Sequence, residues 1–394
     1  MPWKETNAME QRTLLIKAWL SQRYTKTELS EQFSVSRPTV NKWIKRHSQV
    51  GFDGLKELSR KPHHSPNATP QWICEWLITE KFKRPDWGAK KLLDLFARTF
   101  PNVKKPADST GDLILARAGL VKPRKTRRYI SADTQPFKEC IAPNGTWSVD
   151  FKGQFQLGNK KWCYPLTIMD NFSRFLLLCE ALPNTRATSV MTLFERLFNE
   201  VGLPSAIRSD NGSPFASTAL GGISRLSKWW IDLGIRPERI KPAHPEQNGR
   251  HERMHRSLKA SLNARLTQLE QDFKAQQIVL DDFRREYNEE RSHEGLGRKT
   301  PSEFYVPSNR IYTGKIEPYN YGESAEIRKV KGSGEIKWQG NTYYLSQVLA
   351  HEPVALIPYA DGIWNIYYRF HFLGQMDDRE KKIRPATGWH KSTQ

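Results

Sequence analysis

The 394-residue sequence predicts a multidomain protein with helical modules first, a mixed-sheet α/β core next and a small all-β domain last. Three observations carry this expectation. Residues 8–121 hold two sets of three short helical patterns, separated by a Pro/His/Ser-rich stretch. From Thr146 three strand-like apolar runs follow one another closely and then give way to alternating helix and strand patterns. From residue 324 aromatic and basic residues alternate between turn signals. A chain of this length also exceeds one ordinary hydrophobic core.

Composition narrows the partners. Lys and Arg number 62 against 42 Asp and Glu, a formal net charge of +20. A surplus of that size calls for a polyanion or a membrane surface. No apolar run approaches the roughly 18 residues needed to span a bilayer, and MPWKETNAMEQR has no signal-peptide core. The expectation is a soluble, cytoplasmic protein that binds nucleic acid and no membrane. Its 4 cysteines form no CxxC pair, which speaks against a zinc site or a disulfide framework and fits a reducing compartment.

The first module spans 8–58. Glu10 to Leu20 carries Leu14, Leu15, Ala18 and Trp19 on one side, TKTELSEQF forms a second helix, and Ser36 caps a third with Pro38 in its first turn. Leu29, Phe33, Val35, Val40 and Ile44 make a shared core, leaving Arg37, Thr39, Asn41, Lys42 and Lys45 to point outward. The pattern TxxELSxxFxVSRPTVxKW resembles a helix-turn-helix, whose last helix enters the major groove. Residues 59–69 read as a linker. In 70–128, Thr69 caps a helix running to about Phe82, GAKKLLDLFARTF and STGDLILARAGL follow, and a basic tail holds Arg124, Lys125, Arg127 and Arg128. This resembles a second helix-turn-helix, and the tail suits phosphates rather than base edges.

The core is expected over 140–310. WSVDFKGQFQL, KWCYPLTIMDN and RFLLLCEAL are its first strands, with a hairpin at Gly158-Asn159. Then come a helix near Ala187–Val201, a strand near Ala206–Asp210, a helix near Leu220–Leu233 and a long helix from about Asn248. Residues 324–380 form a small barrel-like β domain with turns at Gly340-Asn341 and Asp361-Gly362.

Three acids stand out. Asp150 sits within the apolar pattern Trp147, Val149, Phe151, where an acid needs a reason, and Asp210 ends a strand at Asn211-Gly212. Alone, the first reads as an edge residue and the second as a turn. A third acid on a helix would complete a cage for divalent metal, since Mg²⁺ takes hard oxygen ligands and a pair of ions roughly 4 Å apart assists phosphodiester chemistry. Glu246 and Glu252 are the candidates, leaving 35 and 41 residues after Asp210. At 100° per residue Glu252, Arg256 and Lys259 share one helix face, while Met254, Leu258, Leu262 and Leu266 form a buried stripe. Glu246 lies in a Pro-bounded loop.

VDFKG, SDNGxxF and HPxxNGxxER resemble the DDE transposase and retroviral integrase superfamily, nearest to bacterial insertion-sequence transposases. The resemblance implies a ribonuclease-H-like core and a transposase. Such an enzyme cleaves element-end DNA by metal-assisted hydrolysis and joins the 3′-hydroxyl to target DNA. It further implies Mg²⁺, with Mn²⁺ substituting, double-stranded DNA at inverted repeats and target, and a homodimer or higher oligomer. Asp150, Asp210 and Glu252 become catalytic residues and metal ligands, the local motif placing the Glu three positions after Gly249; a family spacing near 35 would favour Glu246. The additional six residues are assigned to an insertion near Gly221-Gly222. Arg256 and Lys259 become DNA contacts. The competing readings are a catalytically silent DNA-binding relative and a ribonuclease-H-like nuclease.

Overall fold

The computed structural model describes residues 7–58, 68–121, 140–217, 219–240, 248–265 and 272–385. The chain divides into two compact units, Met1–Ala68 and Thr69–Gln394.

The first unit is three helices, α1 (Ala8–Leu20), α2 (Lys26–Gln32) and α3 (Arg37–Val50). Each start is chemically specified. Asn7 accepts from Met9 N, Thr25 and Glu28 form a capping box, and Ser36 accepts from Thr39 N with Pro38 in the first turn. Leu15, Ile16, Leu29, Val40, Trp43 and Leu55 fill the core, with Phe33, Val35 and Ile44 partly buried around it. One expectation fails: Leu14 is 51% exposed and Ile16 fully buried. The helix phase is set by Leu15, Ile16 and Trp19, and Leu14 lies a 100° step away from that stripe. Trp43 is the centre the sequence reading missed, with the Arg12 guanidinium 4.0 Å from its ring centroid.

The second unit begins with α4 (Gln71–Lys83), α5 (Ala89–Thr99) and α6 (Asp108–Arg117) around Trp87, Leu92, Leu93, Phe96 and Leu115. Thr69 is not the cap of α4; Pro70 occupies that position without a side-chain bond.

A mixed sheet follows, made of β1 (Thr146–Phe151), β2 (Phe155–Gln156), β3 (Trp162–Asp170), β4 (Leu176–Leu182), β5 (Ala206–Ser209) and β6 (Arg236–Arg239). Strands β4, β3 and β1 pair antiparallel, while β1, β5 and β6 pair parallel. The short β2 continues the run of β1 alongside β3 beyond a break at Gly153, where φ is +95°. Because side chains alternate across a strand, Trp147, Val149, Leu166 and Ile168 face one side and pack with α7 (Ala187–Val201) and α8 (Arg225–Asp232). Met169, Leu176 and Cys179 face the other side, under α9 (Gly249–Arg265) and α10 (Phe273–Arg285). With helices on both faces of a β4-β3-β1-β5-β6 sheet, the core has the ribonuclease-H-like order.

Helix α8 is shorter than expected. Gly221 and Gly222 take φ of +63° and +65°, which breaks the helix and leaves a 3-10 turn at Leu220–Gly222. A Cβ on Gly222 would lie 1.7 Å from the Arg239 guanidinium. Strand β6 was not anticipated; it is a four-residue edge carrying Pro237, which an edge tolerates.

The C-terminal strands are β7 (Glu326–Lys329), β8 (Glu335–Trp338), β9 (Asn341–Tyr344), β10 (Pro353–Ala360), β11 (Ile363–Tyr368), β12 (His371–Asp377) and β13 (Lys382–Pro385). They form a five-stranded sheet, β13-β12-β11-β10-β7, and a separate β8-β9 hairpin over a shared core. The hairpin turn is Gln339-Gly340, both at positive φ, one residue earlier than expected, because Asn341 pairs with Trp338. Ile223 and Ile231 join this β core. Asp232, on α8, accepts from Tyr368 Oη at 2.5 Å and pairs with Lys228 at 2.8 Å and Arg369 at 3.2 Å.

The segment Arg291–Arg298 clamps the helices of residues 71–117 onto the sheet domain. Arg291 meets Asp86 at 2.9 Å with both side chains buried. Arg298 bridges Asp94 at 2.6 Å and Asp108 at 2.8 Å, and Ser292 Oγ donates to Asp94 at 2.7 Å.

Asp232→Ala strands three polar partners and is expected to cost about 3–5 kcal/mol in denaturant unfolding, while Glu352→Ala, on the wetter side of Lys228, costs under about 1 kcal/mol. Burial pushes the His371 imidazole down to about 4. Between about pH 6.5 and 4 the unfolded chain therefore binds a proton that the folded chain refuses, and stability falls as pH falls through that window. Replacing His371 with Gln is expected to flatten that slope in a pH series of unfolding midpoints.

Candidate active site

Strand β1 carries Asp150 on the face opposite Trp147 and Val149, directly across the ladder from Thr167. The parallel pairing of β1 with β5, Ser148 opposite Arg208, brings Asp210 to the same edge, just past the end of β5. Gly212 N donates to Asp210 Oδ1 at 3.1 Å, and a Cβ on Gly212 would stand 3.0 Å from Asp210 Oδ2. Asn211 Nδ2 donates to Ile240 O, tying the Asp210 turn to the end of β6. Glu252 lies exposed in the first turn of α9.

The electrostatics connect the three acids. Burial raises the Asp150 carboxyl to about 7, and the charges of Asp210 and Glu252 push in the same direction. Lys152 stands nearby, its ammonium held below the usual range by burial and by Lys259. Acid and base thus share this edge of the sheet, with Arg256 and Lys259 exposed on α9 beside Glu252. Glu246 lies outside the described residues.

Sequence reasoning missed the residues that seat α9. His251 and His255 are buried together with Met254 and Leu258, at the helical spacing of a core-facing stripe. The signal was present, but histidines were not counted as stripe residues. Leu262 is partly buried, and Leu266 lies outside the described residues. Thr167 Oγ1 donates to the Asp150 carbonyl at 3.0 Å and stands 2.8 Å from His251 Nε2 and 2.7 Å from His255 Nε2. A hydroxyl has one proton to give, so both imidazoles donate Nε2–H to Thr167. His251 Nδ1 then accepts from Ser148 Oγ at 2.7 Å. That leaves Ser148 Oγ as acceptor toward the side-chain amide of Asn171, 3.0 Å away.

Both histidines are neutral: burial drives His251 well down, and burial together with the charge of Lys152 drives His255 to about 3. With its proton on Nε2, His255 turns the Nδ1 lone pair toward Asp150 Oδ2 at 3.7 Å. Among the described residues, one ligand atom each from Asp150, His251 and His255 lies within 4.8 Å of the others. His251 spends both nitrogens on Ser148 and Thr167, so it is a poor ligand. Asp150 and His255 Nδ1 remain, two lone-pair donors facing one space, with two further acids acting on the same carboxyl. That donor set fits a divalent cation, which would relieve the carboxylate repulsion.

On α3, Arg37, Asn41, Lys42 and Lys45 are exposed. Thr39 differs from expectation: it is half-buried, with its hydroxyl 2.9 Å from Ser36 Oγ in the helix cap. Arg124, Lys125, Arg127 and Arg128 lie outside the described residues. All four cysteines are free, and among the described residues no helix is long and apolar enough to cross a membrane.

Comparison with known proteins tiles much of the chain. Integrase core domain models match residues 141–245 and 233–301. A model for the leucine-zipper of insertion element IS481 matches 6–81, and one for the IS481 family transposase C-terminal domain matches 325–384. An insertion element IS476 protein of Xanthomonas euvesicatoria is 29% identical over 68% of this chain and 75% of its own length. An insertion element IS407 protein of Burkholderia multivorans is 28% identical over 64% of this chain and 87% of its own. The catalytic core domain of HTLV-2 integrase, solved in complex with magnesium, covers 42% of this chain and 99% of its own at 17% identity and a TM-score of 0.33. The core matches and the flanking matches name the same kind of protein, and the chain belongs to the DDE transposase and integrase superfamily as an insertion-sequence transposase.

Proposed function

We propose that this protein binds the DNA ends of its own element, cleaves them by metal-assisted phosphodiester hydrolysis and joins the freed 3′-hydroxyl to target DNA. The observation that carries the reading is the placement of Asp150 and Asp210 by the parallel pairing of β1 with β5, with Glu252 in the first turn of α9 beside the exposed Arg256 and Lys259. Asp150, Asp210 and Glu252 would hold the divalent metal, Mg²⁺ with Mn²⁺ as a substitute. When bound, the metal neutralises charge on the phosphodiester and activates the attacking water or hydroxyl.

The chain's own groups do the rest. Asp150 and Asp210 are fixed by the parallel pairing of their strands. Glu252 is aimed by the burial of its neighbours His251 and His255. Arg256 and Lys259 hold phosphates next to the acids. Arg37, Asn41, Lys42 and Lys45 read the element end in the major groove, and the tail holding Arg124, Lys125, Arg127 and Arg128 contributes charge. Two ends must be paired, so the working form is a dimer or larger, in the bacterial cytoplasm on the nucleoid.

The test is cleavage and strand transfer on duplex DNA carrying the gene's flanking ends, in Mg²⁺. Glu252→Gln is expected to reduce both steps by more than about 100-fold while end binding persists, and Glu246→Gln is expected to leave both steps intact. A parent chain that binds ends yet never cuts them in Mg²⁺ or Mn²⁺ would instead support a silent DNA-binding protein. A second variant probes the support beneath Glu252. Thr167→Val removes the acceptor for two buried imidazole N–H groups and the donor to the Asp150 carbonyl. It is expected to cost on the order of 3 kcal/mol in thermal unfolding, and to reduce cleavage even at temperatures where the variant is folded.

A further inference from the structure

Away from the acids, the first turn of α9 meets the turn between β3 and β4. Arg250 Nη1 donates to the Asn171 carbonyl at 2.5 Å, which places α9 against the segment holding Arg174. Arg253 is about 60° round the helix from Arg250, on the adjoining side. Further along that side Ser257 Oγ accepts from Arg291 at 3.4 Å.

Arg174 is built into place. It is a non-glycine residue at φ +61°, a conformation that costs free energy and persists when its surroundings impose it. Its guanidinium fills the space a side chain would need at position 295: a Cβ there would lie 2.1 Å from Nη2. Burial lowers its affinity for its proton, and the charges of Arg250 and Arg253 add to that effect.

Three guanidinium groups gathered this way need an anion. The acids around them are engaged elsewhere: Asp86 with Arg291, Glu290 with Arg84 and Arg285, and Glu294 with Lys90. Among the described residues, Arg174, Arg250 and Arg253 have no carboxylate within ion-pair distance. Arginine presents a planar fork suited to phosphate oxygens.

We propose that Arg174, Arg250 and Arg253 form a seat for a DNA backbone phosphate, level with Glu252 on the first turn of α9 but about 100° to 160° round the helix from it. The proposal rests on the DNA-processing reading above and adds a contact to it. The seat holds the strand where it leaves the acidic edge, so that the reacting phosphate is fixed from a neighbouring one.

The test is equilibrium binding of the full chain to end-bearing duplex, followed by fluorescence anisotropy across a salt series with chelator present, so that no cleavage contributes. Each lost phosphate contact is expected to lower the slope of log affinity against log salt by about 1. Arg253→Gln, at an exposed position, and Arg174→Gln are each expected to do so and to weaken binding by about 3- to 10-fold. Thermal unfolding accompanies both, since Arg174 is half-buried and Arg253 is not. Duplexes with one neutral methylphosphonate at a time locate the contact: the parent loses affinity at one position, and Arg253→Gln is indifferent to that same position. If the parent binds with a steep slope and both variants keep it, the phosphate seat is overturned while the DNA reading stands. If the parent shows no salt-dependent binding to any duplex, the DNA reading itself falls and takes the seat with it.

Discussion

The edge of the sheet that carries Asp150 depends on how one hydroxyl is shared. Thr167 Oγ1 gives its proton to the Asp150 carbonyl and receives one from each of His251 and His255. A polar group removed from water is costly unless paired, and a knot in which every member is paired admits few alternative arrangements. Helix α9 is strongly basic, and its fully buried apolar side chains in the described part are Met254 and Leu258. Apolar contact alone would tolerate sliding or rolling of such a helix. The imidazoles fix its rotation because their acceptors occupy set ladder positions, Thr167 opposite Asp150 and Ser148 two residues before it.

The other flank of the site is held by a different device. The chain leaving Asp210 runs through the left-handed pair Gly221-Gly222, whose carbonyl at 221 lies 3.4 Å from His371 Nε2 of the β domain. From there α8 begins, and Asp232 near its end gathers Lys228, Tyr368 and Arg369. The β domain thus braces the Asp210 loop at both ends of the loop-helix segment. Within its alternation of aromatic and basic residues, Tyr368 and Arg369 serve this packing role.

The parts of the molecule legible in sequence were those in which local chemistry and burial agree. Strands β1, β3 and β4 are apolar runs, and α7 carries a clean apolar face of Val190, Leu193, Phe194, Leu197 and Phe198. Ser36 and Thr25 announce their helices by capping. The candidate acids were legible as motifs, and their shared field is a property of the folded sheet. What stayed hidden has physical reasons. Strand β6 is polar and carries Pro237, so nothing local marks it as a strand. The pair Gly221-Gly222 reads as a weak helix start until Arg239 is seen to need the space. His251 and His255 look like surface residues until Ser148 and Thr167, which are themselves buried, supply their partners.

The clamp between Arg291–Arg298 and the helices of residues 71–117 has a consequence for how the chain is made. Its contacts join residues 205 and 190 positions apart, Arg291 with Asp86 and Arg298 with Asp108. During synthesis the helices emerge first, with Asp94 paired to the local Lys105 but Asp86 still lacking its partner. The Asp86 partner Arg291 arrives only after the entire sheet and α9 have left the ribosome. Contacts of such long sequence separation close late, so the helical segment waits as a charged, incompletely docked body while the core forms. A nascent chain cut short before residue 291 would carry the three acids and all six strands of the sheet, and would still lack the fastening that makes its second unit one body.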